Sequence, residues 1–189
     1  RIAARACVVA CGGFESNREW LRDAWGRNDR GEWPADNFLI RGTRYNMGVV
    51  LRDLIARGAD AIGDPTQSHC VAIDARAPLY DGGICTRVDC VSLGIIVNRD
   101  AQRFYDEGED FWPKRYAIWG RLVAMQPGQI GYSIIDAKAS GRFMPPVFPG
   151  AKAPTLSALA RQLGLPEAAF AATVQAFNAA CRAGSFDHA

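Results

Sequence analysis

Apolar and polar positions alternate differently in the two parts of the chain, and the first part is helix-rich. Residues 6–11 form a short, continuous apolar run that ends at Gly12-Gly13, which predicts a buried strand stopped by a turn. A capping-box pattern at residues 16–19 predicts the start of a helix. Apolar residues recur at helical spacing over residues 46–57, and Gly58 is placed to end that second helix.

After residue 65 the pattern changes to short apolar runs separated by turns. Turn residues between the runs are typical of short strands, and two amphipathic stretches near the end are typical of helices. In chain order we predict strands over 70–74, 84–87, 94–98 and 103–105 with a tight turn at Arg99-Asp100, a helix over 112–125, a strand over 130–135, a loop over 140–154, and helices over 156–163 and 167–182.

This order of elements predicts a mixed α+β fold with a boundary near residues 64–70. We expect residues 1–65 and residues 66–189 to be separate domain segments, both incomplete. The chain opens on Arg1 directly before a core-like strand and stops straight after a helix, which indicates an internal piece of a larger protein.

Charge and composition exclude two classes of partner. The 22 Lys and Arg residues against 20 Asp and Glu residues leave a net charge of +2, far from the basic excess of a nucleic-acid-binding protein. No apolar run approaches the roughly 20 residues of a membrane span, and we expect no signal peptide. The six cysteines lack metal-ligand spacing, so we expect no metal site and buried, reduced thiols in the cytoplasm.

Two segments carry candidate chemistry. Val8-Val-Ala-Cys-Gly-Gly-Phe14 ends a strand with two glycines, where a backbone can approach a ligand closely. Gly94-Ile-Ile-Val-Asn-Arg-Asp-Ala-Gln-Arg-Phe-Tyr-Asp-Glu107 has the pattern of a hairpin with charged edges. Each alone is typical of ordinary structure. In this order and spacing they resemble the flavoprotein family of fumarate reductase, the succinate dehydrogenase flavoprotein subunit and 3-ketosteroid dehydrogenase.

The resemblance covers nearly the whole chain and is closest to the tricarballylate dehydrogenases of that family. It rests on long stretches: Arg41-Gly-Thr-Arg-Tyr-Asn46, Gly63-Asp-Pro-Thr-Gln67, Val71-Ala-Ile-Asp-Ala-Arg-Ala-Pro78 and Asp106-Glu-Gly-Glu-Asp-Phe-Trp-Pro-Lys-Arg-Tyr116. It implies one flank of an FAD-binding α/β domain followed by most of a substrate-capping domain. The implied reaction is oxidation of tricarballylate to an aconitate by hydride transfer to flavin N5, with electrons passed on to an unidentified acceptor.

The sequence also departs from the family's pattern around the flavin. The dinucleotide-binding Gly-x-Gly-x-x-Gly turn and the acidic residue that holds the ribose are missing, so we expect the chain alone to be inactive. Residues 47–50 read Met-Gly-Val-Val where many members have Thr-Gly-Asp-Gly. Cys11 stands in place of Thr and Ala101 in place of Gly. The resemblance still assigns Gly12 and Gly13 to the flavin.

Substrate residues follow from the same resemblance. Arg115 matches the arginine that gives or takes the proton, with Lys114 and Arg121 as alternatives. Such an arginine works as a base only with a carboxylate partner and a relay. Thr86 and Arg87 stand where the family has Thr-Glu, and Arg87 is suited to grip a third carboxylate, which tricarballylate has and succinate lacks.

His69 falls in the region where the family places a histidine that donates to a substrate carboxylate. The alternative interpretation is that the candidate arginines are solvated surface residues and that His69 has only a structural role. Two rival functions remain: a fumarate or succinate oxidoreductase, against which Arg87 in place of Glu argues, and a folded module without catalytic activity.

Overall fold

The computed structural model describes residues 2–109 and 115–184. Within these ranges a small sheet and several helices form a mixed α+β fold, as the sequence predicts. The α-helices are α1 (Arg18–Trp25), α2 (Val49–Ala56), α3 (Trp119–Ala124), α4 (Leu156–Leu163) and α5 (Glu167–Ala180), the strands are β1 (Ile95–Val97) and β2 (Tyr132–Ile134), and short 3₁₀ helices cover Pro34–Asn37, Ile84–Thr86, Val91–Leu93, Tyr116–Ile118 and Pro127–Gln129.

The antiparallel β1–β2 ribbon is the centre of the larger part of the structure. Ile95 lies opposite Ile134 and Val97 opposite Tyr132. Successive side chains of a strand point to opposite faces, so β1 serves two cores. Ile95 and Val97 pack against α4 and α5, whereas Ile96 packs against Trp119 of α3.

The core on the helical side is formed by the α4–α5 pair. Phe170 is fully buried there against β1, and Ala160 and Leu165 complete the contact. Thr155 caps α4 by accepting a hydrogen bond from the Ala158 N–H, and Gly164 ends α4 in the left-handed conformation. The predicted bounds of α4 and its glycine stop are confirmed, whereas α5 begins at the predicted Glu167 but ends at Ala180, two residues before the predicted end.

The second core lies on the opposite face of β1. Val91, Ile96 and Trp119 are buried in it, and aromatic residues including Tyr105 and Tyr116 pack against them. Segments that are distant in sequence therefore meet on this core, among them the segment of Tyr116, which follows the predicted Arg115 in the chain.

The predicted hairpin turn is present, and Asn98 organises it. The Asn98 side-chain oxygen accepts from the Asp100 and Gln102 N–H groups, both at 3.0 Å. Ala101 adopts a φ of 60°, a conformation that glycine reaches more easily than alanine.

Glu107 is a buried carboxylate at the end of this hairpin. Its side chain is only 4% exposed and accepts a hydrogen bond from the Ile96 N–H at 2.6 Å. Arg103 pairs with the same carboxylate, with Nε 3.2 Å from Oε1. The pairing raises the pKa of Arg103. The ion pair and the strand bond together satisfy the buried charge.

The prediction of a buried strand over residues 6–11 is wrong in this structure. These residues are exposed, with Val8 91% accessible, and within the described ranges they pair with no strand. A strand needs neighbours for its backbone groups and an apolar surface for its side chains, and neither reaches this segment. Cys7 and Cys11 are therefore exposed free thiols rather than buried ones, whereas Cys90 is buried.

Three shorter strand predictions are also wrong. Residues 70–74 and 84–87 form one isolated bridge between Ile73 and Arg87 instead of strands, and residues 103–105 form an isolated bridge between Arg103 and Val97. The chain turns into a 3₁₀ helix at Ile84–Thr86, directly after Gly83 in a backbone conformation that essentially only glycine adopts. At α1 the cap is Asn17 rather than the predicted box, because the Ser16 hydroxyl instead donates to the Thr43 carbonyl.

Gly120 is a close-approach glycine that positions the predicted site. Its N–H donates to the Cys70 carbonyl at 2.8 Å, and a Cβ at this position would lie 2.5 Å from the Val71 carbonyl oxygen. An alanine in a helix normally stabilises by up to about 1 kcal/mol relative to glycine. Here the backbone contact forbids it.

We therefore predict that Gly120→Ala lowers the free energy of unfolding by about 1–3 kcal/mol, the usual cost of overpacking. The matched control is Gly150→Ala, because no atom lies within 4 Å of that Cβ and its φ is not in the left-handed region. Urea unfolding followed by tryptophan fluorescence measures both. Equal stability of the two variants would contradict the close approach.

Candidate functional site

Backbone hydrogen bonds bring three distant segments side by side. The segment that starts at Cys70 binds α3 and the turn before it on one side, through Cys70 N–H to Ala117 O at 2.9 Å. On its other side the Val88 N–H donates to Ala72 O at 2.9 Å and the Asp74 N–H to Thr86 O at 2.9 Å. Residues next to these contacts therefore become neighbours although they are up to 47 positions apart (69 to 116).

Tyr116 lies where these three segments come together. Its ring contacts the ring of His69 edge to face, with centroids 5.1 Å apart, and the Arg87 guanidinium carbon lies 5.0 Å from its centroid. The second contact has the geometry of a cation–π interaction. Arg115 directly precedes Tyr116 in the chain. The structure thus gathers predicted residues from two segments around one aromatic ring.

The Arg87 guanidinium contacts the Tyr116 ring with its face and a carboxylate with its edge. Its Nη2 donates to Asp89 Oδ2 at 2.7 Å, and its Nε lies 2.6 Å from Asp89 Oδ1 in the same ion pair. The two side chains are 11% and 9% exposed. The ion pair and the Tyr116 ring fix the plane of the guanidinium, which makes Arg87 a rigid cation rather than a solvated surface arginine.

Arg115 forms a second ion pair. Its Nη2 lies 2.6 Å from Glu109 Oε1, and the two side chains are 39% and 38% exposed. Burial raises the pKa of Tyr105, the neighbouring Glu109 carboxylate adds to the rise, and Arg115 opposes it. Tyr105 therefore keeps its proton at neutral pH and lies beside this pair.

Thr86 is part of the adjoining turn rather than of the ring contacts. It is 6% exposed, and its hydroxyl lies 3.3 Å from the carbonyl oxygens of Gly82 and Gly83. The hydroxyl thus holds the turn that precedes Arg87. The structure brings Thr86 next to Arg87 through the chain but gives its hydroxyl a local partner.

The two alternatives to Arg115 differ in what the structure says of them. Arg121 donates to the Thr66 carbonyl at 2.9 Å and to Gln67 Oε1 at 3.0 Å, so it holds the turn at residues 64–67. Lys114 lies outside the described residues. Arg115 is the arginine of this group that adjoins Tyr116.

The predicted flavin residues lie in the other part of the chain. A cleft of about 170 Å³ separates Cys11 and Gly12 from the start of α2, and its lining includes Tyr45, Met47 and Gly48–Leu51. No side chain caps α2, so the first N–H groups of the helix face this region without a capping side chain. Gly12 has a φ of 81°, and a Cβ there would lie 2.8 Å from Asn46 Oδ1.

Three residues of the site escaped the sequence reasoning. Asp89 stands two positions after Arg87, a spacing that permits side chains of an extended segment to meet on one face. Glu109 and Tyr116 flank the segment that carries Arg115. A search for carboxylates within a few positions of each candidate arginine would have found Asp89 and Glu109, whereas the role of Tyr116 depends on the tertiary structure.

Other kinds of site find little support in the described residues. In residues 2–109 and 115–184 no three His, Cys, Asp or Glu side chains lie close enough together to hold a metal ion. No helix of this part of the chain is both long and apolar enough to cross a membrane. We compared the sequence with models of known protein families and with curated proteins, and nothing matched.

We predict that Asp89→Asn destabilises the protein by about 3 kcal/mol or more, because it leaves the nearly buried Arg87 cation without its carboxylate. The matched control is Asp36→Asn. Asp36 pairs with Arg22 at the same 2.6 Å, but those side chains are 40% and 44% exposed. Loss of an exposed pair changes stability little. Urea unfolding of the two variants checks this, and equal losses would contradict it.

Proposed function

We propose that the chain is part of an FAD-dependent dehydrogenase that oxidises tricarballylate to an aconitate. Residues 1–65 would then be one flank of the FAD-binding domain and residues 66–189 most of the substrate-capping domain. The observation that carries the proposal is the arrangement around Tyr116, where His69 and Arg87 contact one ring and Arg115 is the adjoining residue. The proposed location is the cytoplasm, in keeping with six free thiols.

The charges of this region suit a polycarboxylate. Two guanidinium groups and an imidazole are the donors that planar, anionic carboxylates need. Asp89 and Glu109 hold the two arginines in fixed orientations, with N–O distances of 2.6 Å in each pair. Donors fixed in this way lose less conformational entropy when a substrate binds. Orientation rather than net charge would then select the substrate.

The proposed reaction removes a hydride from one carbon and a proton from its neighbour. FAD, when bound, supplies the hydride acceptor. Arg115 is the proposed proton acceptor, because it combines half-burial with a carboxylate partner at 2.6 Å. Burial disfavours the charged form of a guanidinium, and a neighbouring group must take up the proton before the guanidinium can act as a base. His69 and Arg87 would bind the substrate carboxylates.

The residues near Gly12 fit one edge of a dinucleotide cofactor. The uncapped start of α2 offers N–H groups of the kind that bind phosphate oxygens, and the glycine backbone permits close approach. The cleft of about 170 Å³ is smaller than the about 300–1,000 Å³ of ligand pockets, so these residues would hold only part of FAD. Val49 supplies no carboxylate where the family has an aspartate.

The rival functions differ in what they require of Arg87 and of the apolar surface. A fumarate or succinate oxidoreductase would need only two carboxylates bound, which leaves a third cation without a task. In a non-catalytic module, exposed apolar side chains would mark a surface for a protein partner. Val8 and Val49 are 91% and 74% exposed, and Val49 lines the cleft. An apolar surface of this kind is suited to packing against further protein.

The first test uses the complete protein that contains this chain. We predict that it is yellow and that tricarballylate bleaches its flavin absorption under anaerobic conditions. Arg115→Lys keeps the charge but loses the planar fork, so we expect turnover to fall at least about 100-fold with unchanged FAD content. A colourless protein would contradict the flavoenzyme. A fall below about tenfold, roughly 1.4 kcal/mol, would remove Arg115 from the chemistry.

The second test concerns Arg87 and substrate choice. We predict that Arg87→Ala combined with Asp89→Asn, which removes both charges of the pair, shifts the ratio of kcat/KM for tricarballylate to that for succinate by at least about thirtyfold. The shift corresponds to the about 2–5 kcal/mol lost with a buried charge partner. An equal fall for both substrates would give Arg87 a general structural role.

A further inference from the structure

We propose that Tyr116 is the positioning residue that gives the site its preference for a tricarboxylate, because its ring holds the His69 imidazole and the Arg87 guanidinium at a fixed spacing. The inference rests on the proposed function and deepens it by naming what sets the spacing of the two carboxylate donors. Its basis is a pair of contacts on one ring. The His69 ring lies with its centroid 5.1 Å from that of Tyr116, and the Arg87 guanidinium carbon lies 5.0 Å from the same centroid. The family resemblance assigns no substrate role to Tyr116.

A backbone hydrogen bond enforces the contact between the Tyr116 and His69 rings. The Cys70 N–H donates to the Ala117 carbonyl at 2.9 Å. His69 and Tyr116 directly precede these two residues, so the same bond holds their side chains next to each other. The Tyr116 ring also packs against the second core, which contains the buried Trp119. The position of the ring is therefore fixed by the fold and does not depend on a substrate.

The contact with Arg87 has the geometry of a strong cation–π interaction. The Arg87 side chain is 11% exposed, so little water competes with the ring for its charge. The N–H of Val88, the next residue, donates to the Ala72 carbonyl at 2.9 Å and holds the Arg87 segment in place. Asp89 binds the edge of the guanidinium and the ring contacts its face, so the guanidinium plane has one orientation.

The spacing of the two donors suits a single polycarboxylate. The His69 imidazole and the Arg87 guanidinium cannot be further apart than the sum of their two distances from the Tyr116 centroid. A substrate with carboxylates at both ends of a short carbon chain can therefore reach both donors at once. Between the donors lies an aromatic ring rather than a charged group, which suits the CH₂ groups that separate the carboxylates.

Removal of the ring would affect one class of substrate more than another. Without it the two donors would move independently, and a substrate that uses both would have to order them when it binds. Tricarballylate pays this cost because its third carboxylate meets Arg87 in the proposed function. Succinate has no carboxylate for Arg87. The preference between the two compounds therefore reports on the ring.

The test uses the complete flavoprotein and two substitutions of Tyr116. Tyr116→Phe keeps the ring, whereas Tyr116→Leu removes it and keeps an apolar side chain against the core. We expect Tyr116→Leu to lower the ratio of kcat/KM for tricarballylate to that for succinate at least about fivefold, and Tyr116→Phe to change it less than about twofold. Dissociation constants of both compounds for the oxidised protein, measured by calorimetry, should change in the same proportion, while kcat for succinate stays within about threefold.

Further variants separate the positioning of Arg87 from a loss of packing. Tyr132→Leu removes an aromatic side chain that packs in the core on the helical side of β1, and it should leave the ratio unchanged. Tyr116→Leu added to the protein with Arg87→Ala and Asp89→Asn should change the ratio less than about twofold, because the ring then has no guanidinium to hold.

A shape-preserving substitution covers the case in which Tyr116→Leu does not fold. A trifluorinated phenylalanine in place of Tyr116 keeps the shape of phenylalanine but removes negative charge from the ring face. It should lower the ratio at least about threefold relative to Tyr116→Phe. A smaller change would show that the cation–π contact does not set the preference.

The outcomes distinguish the two levels of inference. A complete protein that holds FAD but is not reduced by tricarballylate overturns the proposed function and this inference with it. If removal of the Arg87–Asp89 pair shifts the ratio but Tyr116→Leu shifts it less than about fivefold, the role of Tyr116 alone is overturned. An equal shift for Tyr116→Phe and Tyr116→Leu also overturns it, because the hydroxyl rather than the ring would then set the preference. Multiplied effects in the combined variant overturn it as well, since the ring would then act through another residue.

Discussion

The buried carboxylate of Glu107 is the constraint on which the arrangement of the site depends. It accepts the Ile96 N–H at 2.6 Å and pairs with Arg103, so the end of the hairpin is fastened to its first strand. A buried charge without such partners would be costly, and the hairpin therefore closes in one way. Glu109 follows two residues later. Its place beside Arg115 thus follows from the buried charge that anchors the hairpin.

The β1–β2 ribbon connects the hairpin that Glu107 anchors to the rest of the structure. One face of β1 packs on the α4–α5 pair, and the other carries Ile96 against Trp119. Trp119 begins α3, directly after the 3₁₀ turn that contains Tyr116. The glycine at position 120 then lets the Cys70 segment approach the helix backbone. Packing on one face of a three-residue strand therefore determines where His69 and Tyr116 meet.

Local signals in the sequence predicted the elements whose stability is local. Gly164 after an amphipathic stretch marked the end of α4, and Pro166 marked the start of α5. The turn after Asn98 was predicted from its polar residues and is held by the Asn98 side chain itself. The strand prediction for residues 6–11 was wrong. A continuous apolar run indicates that a strand there would have to be buried between neighbours, but it does not show that such neighbours are present.

The sequence by itself determined the mixed α+β class, both ends of α4, the start of α5, and the arginines and histidine that merited attention. Only the tertiary structure decided that Arg87 would be paired with Asp89, that Arg115 would be paired with Glu109, and that Tyr116 would join His69 to Arg87. Helix stops and turns are fixed by interactions over a few residues, which a sequence pattern records. Contacts between segments tens of residues apart depend on how two cores share one strand, and no local pattern encodes that choice.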